Sequence, residues 1–286
     1  MTRDAPADET ALLHRGGRPA GWGNLGLWLA AGAEPVDYAT AAEALARSVG
    51  EAAGLGPGQR VLSVASGGGD ELVLWAEAFG VAEAWGLEPD LQRTALAQAR
   101  IERWKRSGIP SDGVRLHTLP TDLQGLASRA IAPGPLGPFD AIVCVDALYH
   151  LAPRADALQR LAALLRPGGL LAFTDLVPRH GGLRGRLLRA LADRAGLAGA
   201  DWIGPQAWPE ALRAAGLTLR AIDDLDGPVL DGFVRFVERQ QKLLGADAAG
   251  PGWQRVRATA RLLPLARRLG LGKVRVVAER PRGPGD

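Results

Sequence analysis

The chain has 286 residues, 47% of them apolar, which suffices for one large α/β domain with a full core and excludes global disorder. Its 34 basic and 31 acidic side chains leave a net charge of +3, a near-balance that argues against a dedicated nucleic-acid binder. A single cysteine, Cys144, excludes an intramolecular disulfide, and no uninterrupted apolar run approaches the ~18 residues of a membrane helix.

Residues 1–20 are polar, and Met1–Thr10 is acidic where a signal peptide would be basic and then apolar, so a mobile N-terminus and a soluble, cytoplasmic protein are expected. Residues 21–34 combine Trp22 and Trp28 with leucines and glycines, as in a segment that covers something. Tyr38 opens a run of helical composition that extends to residue 53. Strands at 61–65, 84–88, 114–118, 140–145 and 170–175 then alternate with helices at about 70–79, 91–106, 123–131 and 154–165. Asp90 can cap the second of these helices and Gly108 can end it. The turn Arg166–Gly169 precedes the fifth strand. Such alternation implies a parallel sheet with right-handed crossovers. Beyond it, helices are expected at 179–200 and 206–215, a sixth strand at 217–222, helices at 229–243 and 253–269, and a last strand at 273–278 as the antiparallel edge.

The most telling stretch is Val61-Leu-Ser-Val-Ala-Ser-Gly-Gly-Gly-Asp70, an apolar run that turns through three glycines into a helix. A second apolar run ends in Gly86-Leu-Glu88-Pro-Asp90, with an acid able to accept hydrogen bonds from ribose hydroxyls. Dinucleotides and S-adenosylmethionine are both bound by such a half-site. The dinucleotide fingerprint needs a third glycine, where this chain has Leu72 or Asp70, and Asp70 and Glu71 would repel a pyrophosphate at the helix N-terminus. A sulfonium ligand meets neither objection.

These residues resemble the class I S-adenosylmethionine-dependent methyltransferases. The glycine turn is similar to that family's first motif and Leu87-Glu88-Pro89 to its second-strand acid. Phe139–His150 resembles its fourth strand, and Leu164–Asp175 its fifth-strand entry, with the likeness covering residues 22–280. Asn24–Trp28 and Ala147–His150 look like the small-molecule subgroup, which includes sterol, tocopherol, quinone and natural-product methyltransferases. The resemblance implies a Rossmann-like α/β fold: a seven-stranded, mostly parallel sheet with helices on both faces, in one domain over 21–286 with lid elements at 21–50 and 176–216. It implies S-adenosylmethionine as cofactor, no metal, and methyl transfer to a small, apolar or aromatic molecule. Tyr38, Ala65, Ser66, Gly67, Gly69, Glu88, Pro89, Asp122 and Val145 are the residues it places at the cofactor. Ser63 and Ala65 depart from the pattern, standing where the family has an acid and a glycine. Pro120 stands where it has an acid near the adenine, with Asp122 as substitute or as a surface residue. A cofactor-binding protein that no longer methylates and a nucleic-acid methyltransferase are the alternatives, and a homodimer is compatible with the sequence.

His150, just past the fourth strand, is the candidate general base, with helix capping or wall packing as its structural alternative. Tyr149, His180, Trp22, Trp28 and Trp202 are the candidate acceptor contacts, and Trp208 flanks the same region. Tryptophans can equally pin loose covers to a core. His14 and His117 are read as solvated or structural. The cations from Arg255 to Arg282 are read as a solvated face.

Overall fold

The computed structural model describes residues 21–28, 37–108, 113–128, 136–195, 197, 202–244 and 251–283. The expectations for residues 1–20, His14 among them, lie outside these. Helix α1 (Tyr38–Ala52) is capped by the Asp37 carboxylate, which accepts the Thr40 N–H at 2.8 Å. Strand β1 (Arg60–Val64), helix α2 (Asp70–Phe79), strand β2 (Glu83–Leu87) and helix α3 (Leu91–Arg106) follow. Asp90 caps α3 by accepting the N–H groups of Gln92 and Arg93 at 2.8 and 3.0 Å. Gly108, left-handed at φ +72°, takes the chain out of it. Next come β3 (Arg115–Leu119), α4 (Leu123–Ser128), β4 (Phe139–Cys144), α5 (Arg154–Leu164) and β5 (Leu165–Pro178). The last third carries α6 (Gly182–Arg194), α7 (Trp208–Ala214), β6 (Thr218–Asp224), α8 (Gly232–Leu244), α9 (Pro251–Arg268) and β7 (Leu271–Glu279).

The seven strands form one sheet in the order β3-β2-β1-β4-β5-β7-β6, with β7 antiparallel to both neighbours and all other pairings parallel. Two cores cover its faces. One gathers side chains from α1, α2, α3, α6 and α9 and from the wide helical turn before α8; the other gathers those of α5 and α7 with Leu123.

Three expectations are corrected. The last strand is not the edge: β7 is buried almost throughout and inserts between β5 and β6. The polar β6, Thr-Leu-Arg-Ala-Ile-Asp-Asp, is mostly exposed and takes the edge, where a half-solvated strand costs least. The turn Arg166–Gly169 is absorbed into a longer β5, because Gly168 donates to the Arg280 carbonyl at 2.7 Å and Arg280 donates back to Gly169 at 3.0 Å. Helix α6 begins only at Gly182, since the Arg179 N–H is bonded to Gly270 O at 2.7 Å. Cys144 is a buried core residue whose thiol is pushed far up by desolvation. Among the described residues no helix is long and apolar enough to cross a membrane.

Candidate active site

Strands β1 and β4 are neighbours, yet the helices that follow them, α2 and α5, pack on opposite faces of the sheet. The chain therefore parts at their carboxyl ends, opening the crevice where ligands bind in open α/β sheets. Each rim of this crevice carries a left-handed residue other than glycine, Ala65 at φ +57° after β1 and Asp146 at φ +56° after β4. Such strain persists where the surrounding structure enforces it, and it clusters at functional sites.

The turn after β1 is closed by a Gly69 N–H bond to Ser66 O at 3.1 Å and tied to β2 by a Ser66 N–H bond to Leu87 O at 3.0 Å. Gly67 and Gly69 are left-handed, at φ +54° and +80°. A Cβ on Gly67 would meet only the Gly21 carbonyl, at 3.9 Å, so this backbone lies open to a ligand. On Gly69 it would lie 2.8 Å from the Ala97 Cβ, so the turn sits directly on α3. Because a left-handed alanine costs about 1–2 kcal/mol and glycine returns part of that as unfolded-state entropy, Ala65→Gly should stabilise the protein by about 0.5–1 kcal/mol. Thermal denaturation checks this, and a lowered midpoint would contradict it.

Three carboxylates surround the turn. Glu88, almost fully buried, accepts the Gly67 N–H at 3.0 Å and the Asp90 N–H at 3.1 Å, which joins the two expected cofactor motifs. Glu71, on the first turn of α2, points back to β1 and accepts the Ser63 hydroxyl at 2.6 Å. Burial pushes the Glu71 carboxyl up to about 8, against the Ser63 bond; Asp70, Glu88 and Asp146 add to the rise. Asp70 accepts the Gly21 N–H at 2.8 Å and pairs with Arg100, which also donates to Gly68 O at 2.6 Å. The acid that the sequence lacks at Ser63 is thus present in space, supplied by the helix.

Asp146 organises the β4 rim. Its backbone N–H donates to Thr174 Oγ1 at 2.8 Å, and its carboxylate accepts the Leu25 N–H at 2.7 Å and the Tyr149 hydroxyl at 3.1 Å. The same carboxylate is paired with Lys273, a fully buried cation from β7 whose Nζ lies 5.3 Å from the Tyr149 ring centre. Desolvation and Asp146 hold the Tyr149 phenol protonated, well above 10. His150 closes a single helical turn, Leu148–His150, and lies against Tyr149 at 4.4 Å between ring centres, with part of the imidazole in solvent. Desolvation holds its pKa below 6.5, helped by Lys273, Arg93 and Arg154 and opposed by Asp146. Behind it, buried Arg154 donates to Asp175 at 2.9 Å and fastens α5 to β5.

Residues 21–28 cross from one rim to the other. They are bonded to Asp70 through Gly21 and to Asp146 through Leu25, and Trp28 N–H reaches Pro228 O at 2.8 Å. Tyr38 holds this strap from below, donating its hydroxyl to Asn24 O at 2.6 Å, with Trp22 O at 3.3 Å. Trp22 and Trp28, expected on the acceptor wall, are buried in the core, and Trp28 stacks on Phe236 at 4.5 Å. They anchor the strap, the structural reading of the two. Trp208 is buried against Phe173, and Trp202 is half-buried beside the first core. His180 is exposed and its ring lies over Gly270, at the β5–β7 end of the sheet. Val145 is buried at the end of β4, and Pro89 is exposed at the end of β2. Asp122 is exposed and accepts the Gly125 N–H at 2.6 Å, which gives it a capping role in α4.

Asp146 belongs to no candidate set in the sequence, Lys273 stands there only among the C-terminal cations and at the start of the last strand, and Glu71 counts only as an obstacle to phosphate. A lone lysine inside the apolar run of β7 was the available signal. The C-terminal cations are not simply a solvated face. Arg267 pairs with Asp226 and Asp231, Arg275 with Asp223, Lys273 with Asp146, and Arg280 donates to the Leu165 carbonyl at 2.5 Å. The Arg255 side chain lies outside the described residues.

Residues 38–222 match a family model described as a methyltransferase domain. The chain belongs to this family, and it is an S-adenosylmethionine-dependent methyltransferase with the class I fold. It is 27% identical to the erythromycin 3''-O-methyltransferase of Saccharopolyspora erythraea, over 74% of this chain and 68% of that one. Further curated relatives, tRNA U34 carboxymethyltransferases and ubiquinone biosynthesis O-methyltransferases among them, are spanned over 33% to 55% of their own length. The crystal structure of the [4+2]-cyclase SpnF shares the fold at a TM-score of 0.69 and 22% identity, over 96% of this chain and 94% of that one. The methyltransferase of Thiobacillus denitrificans in complex with S-adenosylhomocysteine does so at 0.54 and 21%, over 82% and 90%.

Proposed function

We propose that this enzyme transfers the methyl group to a hydroxyl of a small biosynthetic molecule in the cytoplasm, with His150 as the base. The observation that carries this reading is the position of His150 at the β4 rim, exposed and packed against Tyr149, whose hydroxyl is held by Asp146. The Saccharopolyspora relative, by its name an O-methyltransferase, supports the choice of oxygen. The residues of the turn fit the cofactor: open backbone at Gly67, the Glu88 carboxylate for ribose hydroxyls, and acids around a ligand of net positive charge. When bound, S-adenosylmethionine supplies an electrophilic methyl group on a sulfonium, so the protein's task is alignment, water exclusion and proton removal. The strap closes the crevice from above. Tyr149, unable to ionise, is a fixed hydrogen-bonding group for the acceptor. His150 takes the acceptor's hydroxyl proton on its unprotonated ring nitrogen. Internal counter-ions for Arg267, Lys273 and Arg275 support a small acceptor over a nucleic acid.

The test is release of labelled methyl to a panel of hydroxylated macrolides, quinone precursors and phenols. His150→Ala should lower turnover by about 10²-fold, the usual scale for a general base, with cofactor affinity nearly unchanged. Because the imidazole loses its proton more readily than usual, wild-type kcat should hold as pH falls through 6.5 and decline only below it. Undiminished turnover in the variant removes His150 from the role.

A further inference from the structure

We propose that the buried Ser63–Glu71 pair makes the cofactor site a charge reader, favouring the sulfonium donor over its neutral thioether product and coupling donor binding to loss of a proton. This inference rests on the reading of residues 65–69 as the cofactor cradle.

Ser63 is fully buried on β1 and Glu71 almost fully buried on α2, and their side chains meet at 2.6 Å beneath the glycine turn. A serine hydroxyl can donate to a carboxylate or accept from a carboxylic acid, so this contact suits both charge states of Glu71. The groups facing Glu71 are almost all acidic. Asp70 adjoins it on α2, Glu88 faces it from the end of β2, Asp146 from beyond β4, and the Cys144 thiol from β4 itself. The cations nearby are committed elsewhere, Arg100 to Asp70 and Lys273 to Asp146. With its carboxyl held near 8, Glu71 is protonated at neutral pH until positive charge enters the site.

S-adenosylmethionine carries a sulfonium, an ammonium and a carboxylate, and S-adenosylhomocysteine lacks the first of these charges. Methyl transfer therefore removes one positive charge from the ligand. The donor stabilises ionised Glu71 and the product does so less, so the carboxyl regains its proton as the product forms. The sign of the linkage follows. Because the free protein holds the proton more tightly than the donor complex, donor affinity should rise with pH up to about 8 and level off above it.

Isothermal titration calorimetry in two buffers of different ionisation enthalpy counts the protons. At pH 7, S-adenosylmethionine binding should release roughly 0.9 proton per site, the fraction protonated at a pKa near 8, and S-adenosylhomocysteine less than half as many. At pH 9.5 the release should vanish for both. Glu71→Gln, which keeps a hydrogen-bonding group for Ser63, should abolish the release and reduce the preference for donor over product by about tenfold, one pKa unit of differential interaction. Ser63→Ala removes the bond that opposes the rise, so its release should persist to higher pH than in the wild type. Equal proton release from wild type and Glu71→Gln overturns the inference while leaving the cradle intact. Failure of the wild type to bind either nucleoside at millimolar concentration overturns the cradle reading itself.

Discussion

Lys273→Met should destabilise the protein by about 3–5 kcal/mol, the usual cost of removing one partner from a buried ion pair. Lys273 is fully buried and its counter-ion Asp146 nearly so. Methionine fills the space of the lysine stem but leaves the carboxylate with only the Leu25 N–H and the Tyr149 hydroxyl. Neither of these carries charge. The effect should extend to function, because Asp146 is also where the strap is fastened and where Tyr149 is aimed. Urea denaturation should show a lowered midpoint at unchanged slope, and turnover should fall with it. The double variant Asp146→Asn, Lys273→Met distinguishes an uncompensated charge from lost packing. Asparagine tolerates the left-handed backbone of position 146 and still accepts from Leu25. The double variant should therefore regain more than half of the lost stability. A double variant no better than the single one would assign the loss to packing.

Gly69→Ala is expected to be comparably severe, at about 2–5 kcal/mol, and to abolish cofactor binding. Two costs combine. The left-handed backbone at φ +80° costs an alanine about 1–2 kcal/mol. The new methyl would lie 2.8 and 2.9 Å from the Cβ and Cα of Ala97, and pushing α3 aside costs about 1–3 kcal/mol more. Moving the turn also shifts Gly67 away from Glu88, so the ligand site fails together with the packing. Gly68→Ala is the control, since residue 68 is not left-handed and its Cβ would come no closer than 3.3 Å to any neighbour. If both variants melt alike, the contact with Ala97 is not what requires glycine at 69.

Much of the site's frame was legible in the chain. The glycine turn, Glu88 and the β4 end with Tyr149 and His150 were identified from motif order and placed correctly on the sheet's carboxyl edge. The helix bounds of α2 and α3 followed from Gly69, Asp90 and Gly108, whose roles are set by neighbours within a turn. What was not legible depends on contacts between distant residues. Trp22 and Trp28 read as an aromatic wall because composition does not say which way a covering segment faces; Phe236 and the core decided it. The position of β7 was misjudged because chain order says which strand comes last, while burial decides which strand lies inside.

The sequence by itself determined the alternation of strands and helices, which local periodicity encodes, while the cofactor class and the missing acid at Ser63 follow from the order of its motifs and the family they resemble. Only the tertiary structure decided how that missing acid is replaced and what holds the acceptor side. Glu71 reaches Ser63 across the strand–helix turn, and Lys273 meets Asp146 across 127 positions of chain. The physical reason is the same for both. A buried polar or charged group must find its partner in space, and no pattern of apolar spacing records which partner the fold will bring.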